Sequence, residues 1–111
     1  MTLQEPTFLI LAALADQPMH GYGIIQDVTS LSEGRVVLRP GTLYGALDRL
    51  VDQGLVVADR EEVVDGRLRR YYRLSDEGAA TLESEAQRLA SNAEAAVKRL
   101  GRRPRPSTAH G

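Results

Sequence analysis

The amino-acid sequence predicts a mostly helical α+β protein: three helices, a β-hairpin and one long final helix. Three observations carry that prediction. Apolar residues recur at helical spacing in successive segments of the first half. An Asp-Gly pair then separates two β-prone runs. Beyond it, apolar positions step by 4, 3, 4, 3 and 4 residues from Leu82 to Leu100, the rhythm of a coiled-coil seam.

The first helix is expected over Pro6 to Ala15. Proline suits a first helical turn, Leu9, Ile10, Ala13 and Leu14 share a face, and Asp16-Gln17-Pro18 stops the run. His20 and Gly21 open a second helix with Tyr22, Ile25 and either Val28 or Thr29 on one side, fading over Leu31-Ser32-Glu33-Gly34. Val36-Val37-Leu38 is β-prone. A third helix spans Pro40 to Gln53, with Leu43, Leu47, Leu50 and Val51 as its buried stripe and Gly54 as its left-handed stop. Its outer face carries Thr42, Tyr44, Gly45, Asp48, Arg49 and Asp52. Leu55 to Val64 and Arg67 to Leu74 read as strands joined at Asp65-Gly66. The second alternates, with Leu68, Arg70, Tyr72 and Leu74 on one face and Arg67, Arg69, Tyr71 and Arg73 on the other. Ser75 caps the last helix, acids fill its first turn, and Gly101 is its expected end. The seam on that helix consists of Leu82, Ala86, Leu89, Ala93, Ala96 and Leu100.

Composition narrows the function. The 111 residues make one domain by size, with 42% hydrophobic and 26% charged residues. A core that thin gains from association. Without cysteine there are no disulfides, thiolate nucleophiles or cysteine-ligated zinc, and His20 and His110 lie far apart in sequence, so neither metal nor cofactor is expected. Gly21-Tyr22-Gly23 lacks the rest of a phosphate-binding loop, and the carboxylates are spread over helix surfaces, so no catalytic residue and no enzyme is expected. The apolar run Phe8 to Ala15 is preceded by Glu5 and by no Lys or Arg, and is too short for a span. A cytoplasmic chain without membrane contact is the expectation. The net charge of −1 does not announce a nucleic-acid binder, but phosphates are neutralised by local patches rather than by net charge.

This order of elements is that of a winged helix-turn-helix domain at residues 1–75 and a dimerisation helix at 76–101, followed by a disordered tail at 102–111. Four stretches sharpen it: His20-Gly21-Tyr22-Gly23, Pro40-Gly41-Thr42-Leu43-Tyr44, Leu47 through Leu55, and Arg69 through Gly78. In order and spacing they resemble the PadR family of transcriptional regulators across Pro6 to Leu100. The resemblance implies a homodimer, repressor or activator, whose paired winged helices bind double-stranded DNA at an inverted-repeat operator. Repression is the expected sign, with possible release by a small-molecule effector of unknown identity. It also implies the smaller branch of the family, with one helix after the wing. The drug-sandwiching mechanism of another branch does not carry over, because the chain has no Trp and few other aromatics.

Within a helix-turn-helix, the start of the recognition helix meets base edges and its flanks meet phosphates. That assigns Thr42, Tyr44, Gly45 and Arg49 to DNA, with Tyr44 alternatively packing between helices and Arg49 alternatively pairing with Asp48 or Asp52. His20 reads first as the cap of the second helix and second as a phosphate contact. Tyr22 reads as interhelical packing with its hydroxyl at the DNA edge. Arg67, Arg69 and Arg70 suit phosphate or minor-groove contact; the competing reading is a solvated hairpin edge opposed by Glu61, Glu62 and Asp65. A winged helix used for protein interaction without DNA is the alternative function. Any effector pocket is expected between the first and last helices.

Overall fold

The computed structural model describes residues 2–104. Its elements are α1 (Glu5–Asp16), β1 (Met19–His20), α2 (Gly21–Leu31), α3 (Pro40–Asp52), β2 (Val56–Val64), β3 (Arg67–Leu74) and α4 (Asp76–Arg102). The strands form one antiparallel sheet in the order β1-β3-β2. This is the winged-helix arrangement: three helices with a small sheet, then one long helix.

The core is apolar and continuous. Ile10, Leu11 and Leu14 of α1, Ile24 and Val28 of α2, Leu43, Leu47 and Leu50 of α3, and Val56 and Tyr72 of the sheet are all buried together. Ala46 completes the α3 stripe in place of Val51, which is 37% exposed. The difference is geometric: Leu43, Ala46, Leu47 and Leu50 keep the helical 3–4 spacing, and Val51 lies past the edge of that stripe.

Helix ends are closed by local chemistry. Past α3, Gly54 adopts φ +77°; its N–H donates to Val51 O and that of Leu55 to Leu50 O, both at 3.0 Å, the paired bonds of a Schellman stop. After α2 the left-handed turn begins at Glu33 (φ 54°) and continues through Gly34. Val36 to Leu38 forms no strand. Its backbone is pinned by the buried Ser32, whose Oγ accepts the Val36 N–H at 2.9 Å, while Leu38 plugs the core. A β-prone triplet with no strand edge beside it has nothing to pair with.

The hairpin turns at Asp65 (φ 51°) and Gly66 (φ 76°), the two positive values that a type I′ turn needs. That turn places Val64 opposite Arg67, whereas at the base of the hairpin Val56 lies opposite Leu74, a register offset by one residue. An irregularity between Ala58 and Arg60 absorbs the difference, leaving Asp59 without a partner. Had the base register continued, Arg60 would have faced Arg70; instead Arg60 faces Tyr71 and Glu61 faces Arg70.

The start of α4 is bolted to the turn between α3 and β2. Ser75 Oγ accepts the Gly78 N–H at 2.9 Å and donates to Gly54 O at 2.6 Å. Gly78 lies so close to the Leu55 carbonyl that a Cβ there would overlap it. Leu82 of the expected seam packs against the chain's own core, so the exposed part of that seam begins at Ala86. The helix continues through Gly101 to Arg102, because Gly101 keeps a helical backbone and meets no obstacle. Arg102 therefore belongs to α4 and Arg103 is its C-cap, while residues 105–111 of the expected tail lie outside the described residues.

Candidate nucleic-acid interface

The winged fold brings three separated segments to one open cleft of about 480 Å³: the start of α2, the N-terminal half of α3 and the first half of β3. From α2 come His20, Gly21 and Tyr22; from α3, Tyr44; from the wing, Arg67, Leu68, Arg69 and Arg70. Two-residue β1 holds the assembly in register, pairing Met19 with Tyr72 and His20 with Tyr71. Because β1 ends there, the β3 edge from Arg67 to Arg70 stays open toward the cleft.

Each side chain is placed by a local cause. His20 is the N-cap of α2, its Nδ1 accepting the Gly23 N–H at 3.2 Å. The ring stands edge-on to Tyr71 at 5.4 Å, and its Nε2 lies 3.0 Å from an Arg69 guanidinium nitrogen. Burial first, and Arg69 second, hold the imidazole below its ordinary pKa of 6.5, with Glu62 opposing. Tyr44 crosses from α3 to α2 with its hydroxyl over Gly21, where any side chain would collide with it. The ring is 44% exposed, so it touches α2 and still faces the cleft. Tyr22 is 62% exposed, which corrects the packing expectation: His20 caps the helix and turns residue 22 outward, while Ile24 and Val28 fill the core.

The charges on the hairpin are sorted by the strand register. Arg60 lies over Tyr71 at 4.0 Å and pairs with Asp59 and Glu62, each at 3.2 Å. Arg73 also reaches Asp59, at 3.3 Å, and Arg70 reaches Glu61 at 3.5 Å. Of the three acids expected to oppose the wing arginines, Glu62 is engaged by Arg60 and Glu61 by Arg70 of the wing itself, while Asp65 at the turn pairs with no cation among the described residues. Among the described residues, Arg67 and Arg69 have no carboxylate partner, and both line the cleft.

Other expected contacts fall elsewhere. Thr42 is exposed on the first turn of α3, beside a helix start with no side-chain cap, and Gly45 lies one residue past Tyr44 on the same helix. Arg49 folds back toward Gly45, within 3.7 Å of where a Cβ would stand, and lines a separate groove with Thr7 of α1 and Gln53. Among the described residues neither Asp48 nor Asp52 pairs with it. Sequence reasoning missed Gly21 and Leu68. Gly21 could have been found as a glycine at a first helical position, where helix formers are favoured unless space is needed. On α4, Ala86, Ala93 and Ala96 are exposed, with Leu89 at 43% and Leu100 at 65% exposure.

Among the described residues no group of three or more His, Asp and Glu side chains is placed to hold a metal, and no helix is long and apolar enough to cross a membrane.

Comparison with known proteins places this architecture. Residues 10–84 match the model of the transcriptional regulator PadR-like family. Transcriptional regulator Rv3488 of Mycobacterium tuberculosis is 41% identical over 80 residues, covering 72% of this chain and 71% of that protein. A PadR family transcription regulator from Clostridium difficile superposes with a TM-score of 0.73 at 25% identity, over 87% of this chain and 99% of the other. Bacillus subtilis PadR, solved in complex with operator DNA, superposes with a TM-score of 0.65 at 21% identity, over 73% of this chain and 46% of that one; it shares the fold. The chain belongs to the PadR-like family of transcriptional regulators.

Proposed function

We propose that the chain binds double-stranded DNA sequence-specifically as a homodimer and acts as a repressor. The observation that supports this most is the cleft itself, where Tyr44 converges from α3 with Arg67 and Arg69 of β3, which have no carboxylate partner among the described residues. Guanidinium groups without carboxylates suit phosphate oxygens, which they bind in pairs. In this reading the start of α3 enters the major groove, turning Thr42 and Gly45 toward base edges. Tyr22 and Tyr44 offer hydroxyls to the backbone, and Arg67, Arg69 and Arg70 follow it along the wing. Arg49 reaches the DNA on the opposite flank of α3.

The exposed seam Ala86, Leu89, Ala93, Ala96 and Leu100 closes on a second copy. A two-fold pair of α3 helices then reads an inverted repeat with half-sites about 34–36 Å apart. Repression is by occupying the promoter. An effector would act where α1 meets α4, the joint between the DNA-reading unit and the dimer arm.

The test is a titration of promoter DNA from the protein's own locus against random-sequence duplex, at several salt concentrations. Tight binding to the first, and weaker binding to both that falls linearly in log–log form with salt, is expected. A dimer that binds neither duplex at low salt would leave a winged helix used for protein contacts as the better reading.

A further inference from the structure

His20 holds two contacts that no protonation state of the free chain satisfies together. Its Nδ1 faces the Gly23 N–H at 3.2 Å, and its Nε2 faces an Arg69 guanidinium N–H at 3.0 Å. Both neighbours are donors, since a guanidinium has no acceptor atom. A neutral imidazole has one acceptor nitrogen and one N–H, so one contact must set N–H against N–H. An imidazolium makes both contacts unfavourable. The ring cannot easily turn aside, because its backbone is paired with Tyr71 and the two rings pack perpendicular to each other at 5.4 Å.

We propose that His20 and Arg69 together clip one phosphate of the DNA backbone, the imidazole donating through Nε2–H while Nδ1 keeps its cap on α2. An anionic oxygen placed between the two donors accepts from both, and both ring nitrogens of His20 are then satisfied. The surroundings fit such an anion. Arg67 and Arg69 line the same cleft without carboxylate partners, and Tyr44 faces it from α3. Glu62, the acid nearest in effect, is held by Arg60 on β2; Tyr71 of β3 and Gly23 of α2 complete the groups around the ring. The depressed imidazole pKa keeps the ring neutral at pH 7, the form that both caps and donates. This inference rests on the DNA-binding reading above and gives His20 a specific part in it.

Two substitutions separate the cap from the clip. His20→Asn puts an amide oxygen where Nδ1 accepts, a strong N-cap, but has no group that reaches the Nε2 position. His20→Gln places a nitrogen near the Nε2 position and loses the cap. Random-sequence duplex at low salt is a sufficient probe, because a phosphate contact carries no sequence information. His20→Asn should melt like the wild type and bind that duplex about tenfold more weakly. His20→Gln should melt lower yet bind more tightly than His20→Asn. Nitrogen NMR of the labelled imidazole should show the Nε2–H tautomer in the DNA complex, and inorganic phosphate at millimolar concentration should not reproduce the DNA-induced shift.

Wild-type affinity in His20→Asn, or an Nδ1–H tautomer in the complex, overturns the clip and leaves the DNA-binding reading standing. A full shift with inorganic phosphate alone overturns it in favour of a free-anion site. A wild-type protein that binds no duplex overturns both readings.

Discussion

Glu85 and Arg69 are both charged side chains held against the winged core, and their surroundings differ in kind. Glu85, near the root of α4, is 3% exposed. One carboxylate oxygen accepts the Leu3 N–H at 2.8 Å, and Arg88 grips both oxygens at 2.9 and 3.1 Å. Around it Ser75 closes the helix start onto Gly54, and Gly78 lies against the Leu55 carbonyl. In the cleft, by contrast, Arg67 and Arg69 have no carboxylate partner among the described residues, and Arg69 lies 3.0 Å from His20 Nε2. A cluster whose acceptors match its donors holds the fold together, and one with surplus donors is built for an anion that the chain itself does not supply. The outer part of α4 is the apolar counterpart of the cleft: Leu89 and Leu100 are exposed, and the proposed dimer would cover them.

That contrast can be broken at several points. The largest effect is expected on the outer helix. Leu89→Asp would place two carboxylates against each other across the two-fold seam, at a cost of about 3–5 kcal/mol of dimer stability. Sedimentation should then show monomer where the wild type is dimer, and a wild type that is already monomeric at micromolar concentration removes the seam from the argument. Next comes the root. Gly78→Ala pushes a methyl into the Leu55 carbonyl and should lower folding stability by about 2–4 kcal/mol in a thermal melt. If the mutant melts as the wild type does, α4 is not held at that point.

The cleft should respond in the opposite way, through affinity and not through folding. Arg67 and Arg69 replaced together by Ala should cost roughly 2–3 kcal/mol of DNA binding at low salt and lower the salt slope by about one per lost phosphate contact. Their melting temperature should stay where it was. An unchanged slope would make these arginines ordinary solvated charge. Tyr44→Phe removes one hydroxyl and keeps the ring, so a loss of about 1 kcal/mol in affinity is expected. Gly21→Ala should imitate it, since the added methyl occupies the position of that hydroxyl. If Gly21→Ala binds normally while Tyr44→Phe does not, the hydroxyl has room to move and Gly21 does not position it.

The smallest effects are in pH dependence. Arg88 first, and the Leu3 N–H second, lower the Glu85 carboxyl from 4.5 to about 2. Its folded value lies below the unfolded one, so its contribution is complete above pH 4.5 and is lost as pH falls toward 2. His20 is a base lowered from 6.5. The unfolded chain takes up its proton first, so its contribution is full above pH 6.5 and declines as pH falls through its folded value. Glu85→Gln should flatten only the acid limb of the stability profile and His20→Asn only the limb just below neutrality. Identical profiles for both mutants would show that neither group sets the pH response.

The features legible beforehand share one property: they are closed within a few residues of chain. The Asp65-Gly66 turn, the Ser75 and His20 caps, the Gly54 stop and the Leu43, Leu47 and Leu50 stripe follow from backbone angles, a nearby side-chain acceptor, or helical period. The sequence by itself determined the order of the helices and the hairpin, the family, and the apolar rhythm of the last helix. It also put the arginines on β3, although it left open whether their acidic neighbours cancel them.

Tertiary structure alone decided the rest, because each remaining feature depends on a partner distant in the chain. β1 is two residues long and is a strand only because β3 lies beside it. Leu82 left the outward seam because α1 and the sheet reach it first. The offset at Asp59 is visible only when the turn register and the core register are compared, and it turns an Arg60–Arg70 opposition into an Arg70–Glu61 pair. Glu62 stands opposite Arg69 in the strand register but is held by Arg60, so among the described residues Arg67 and Arg69 face the cleft without carboxylate partners. Local rules name the residues of this surface; the pairing of the strands sets which of their charges remain for a ligand.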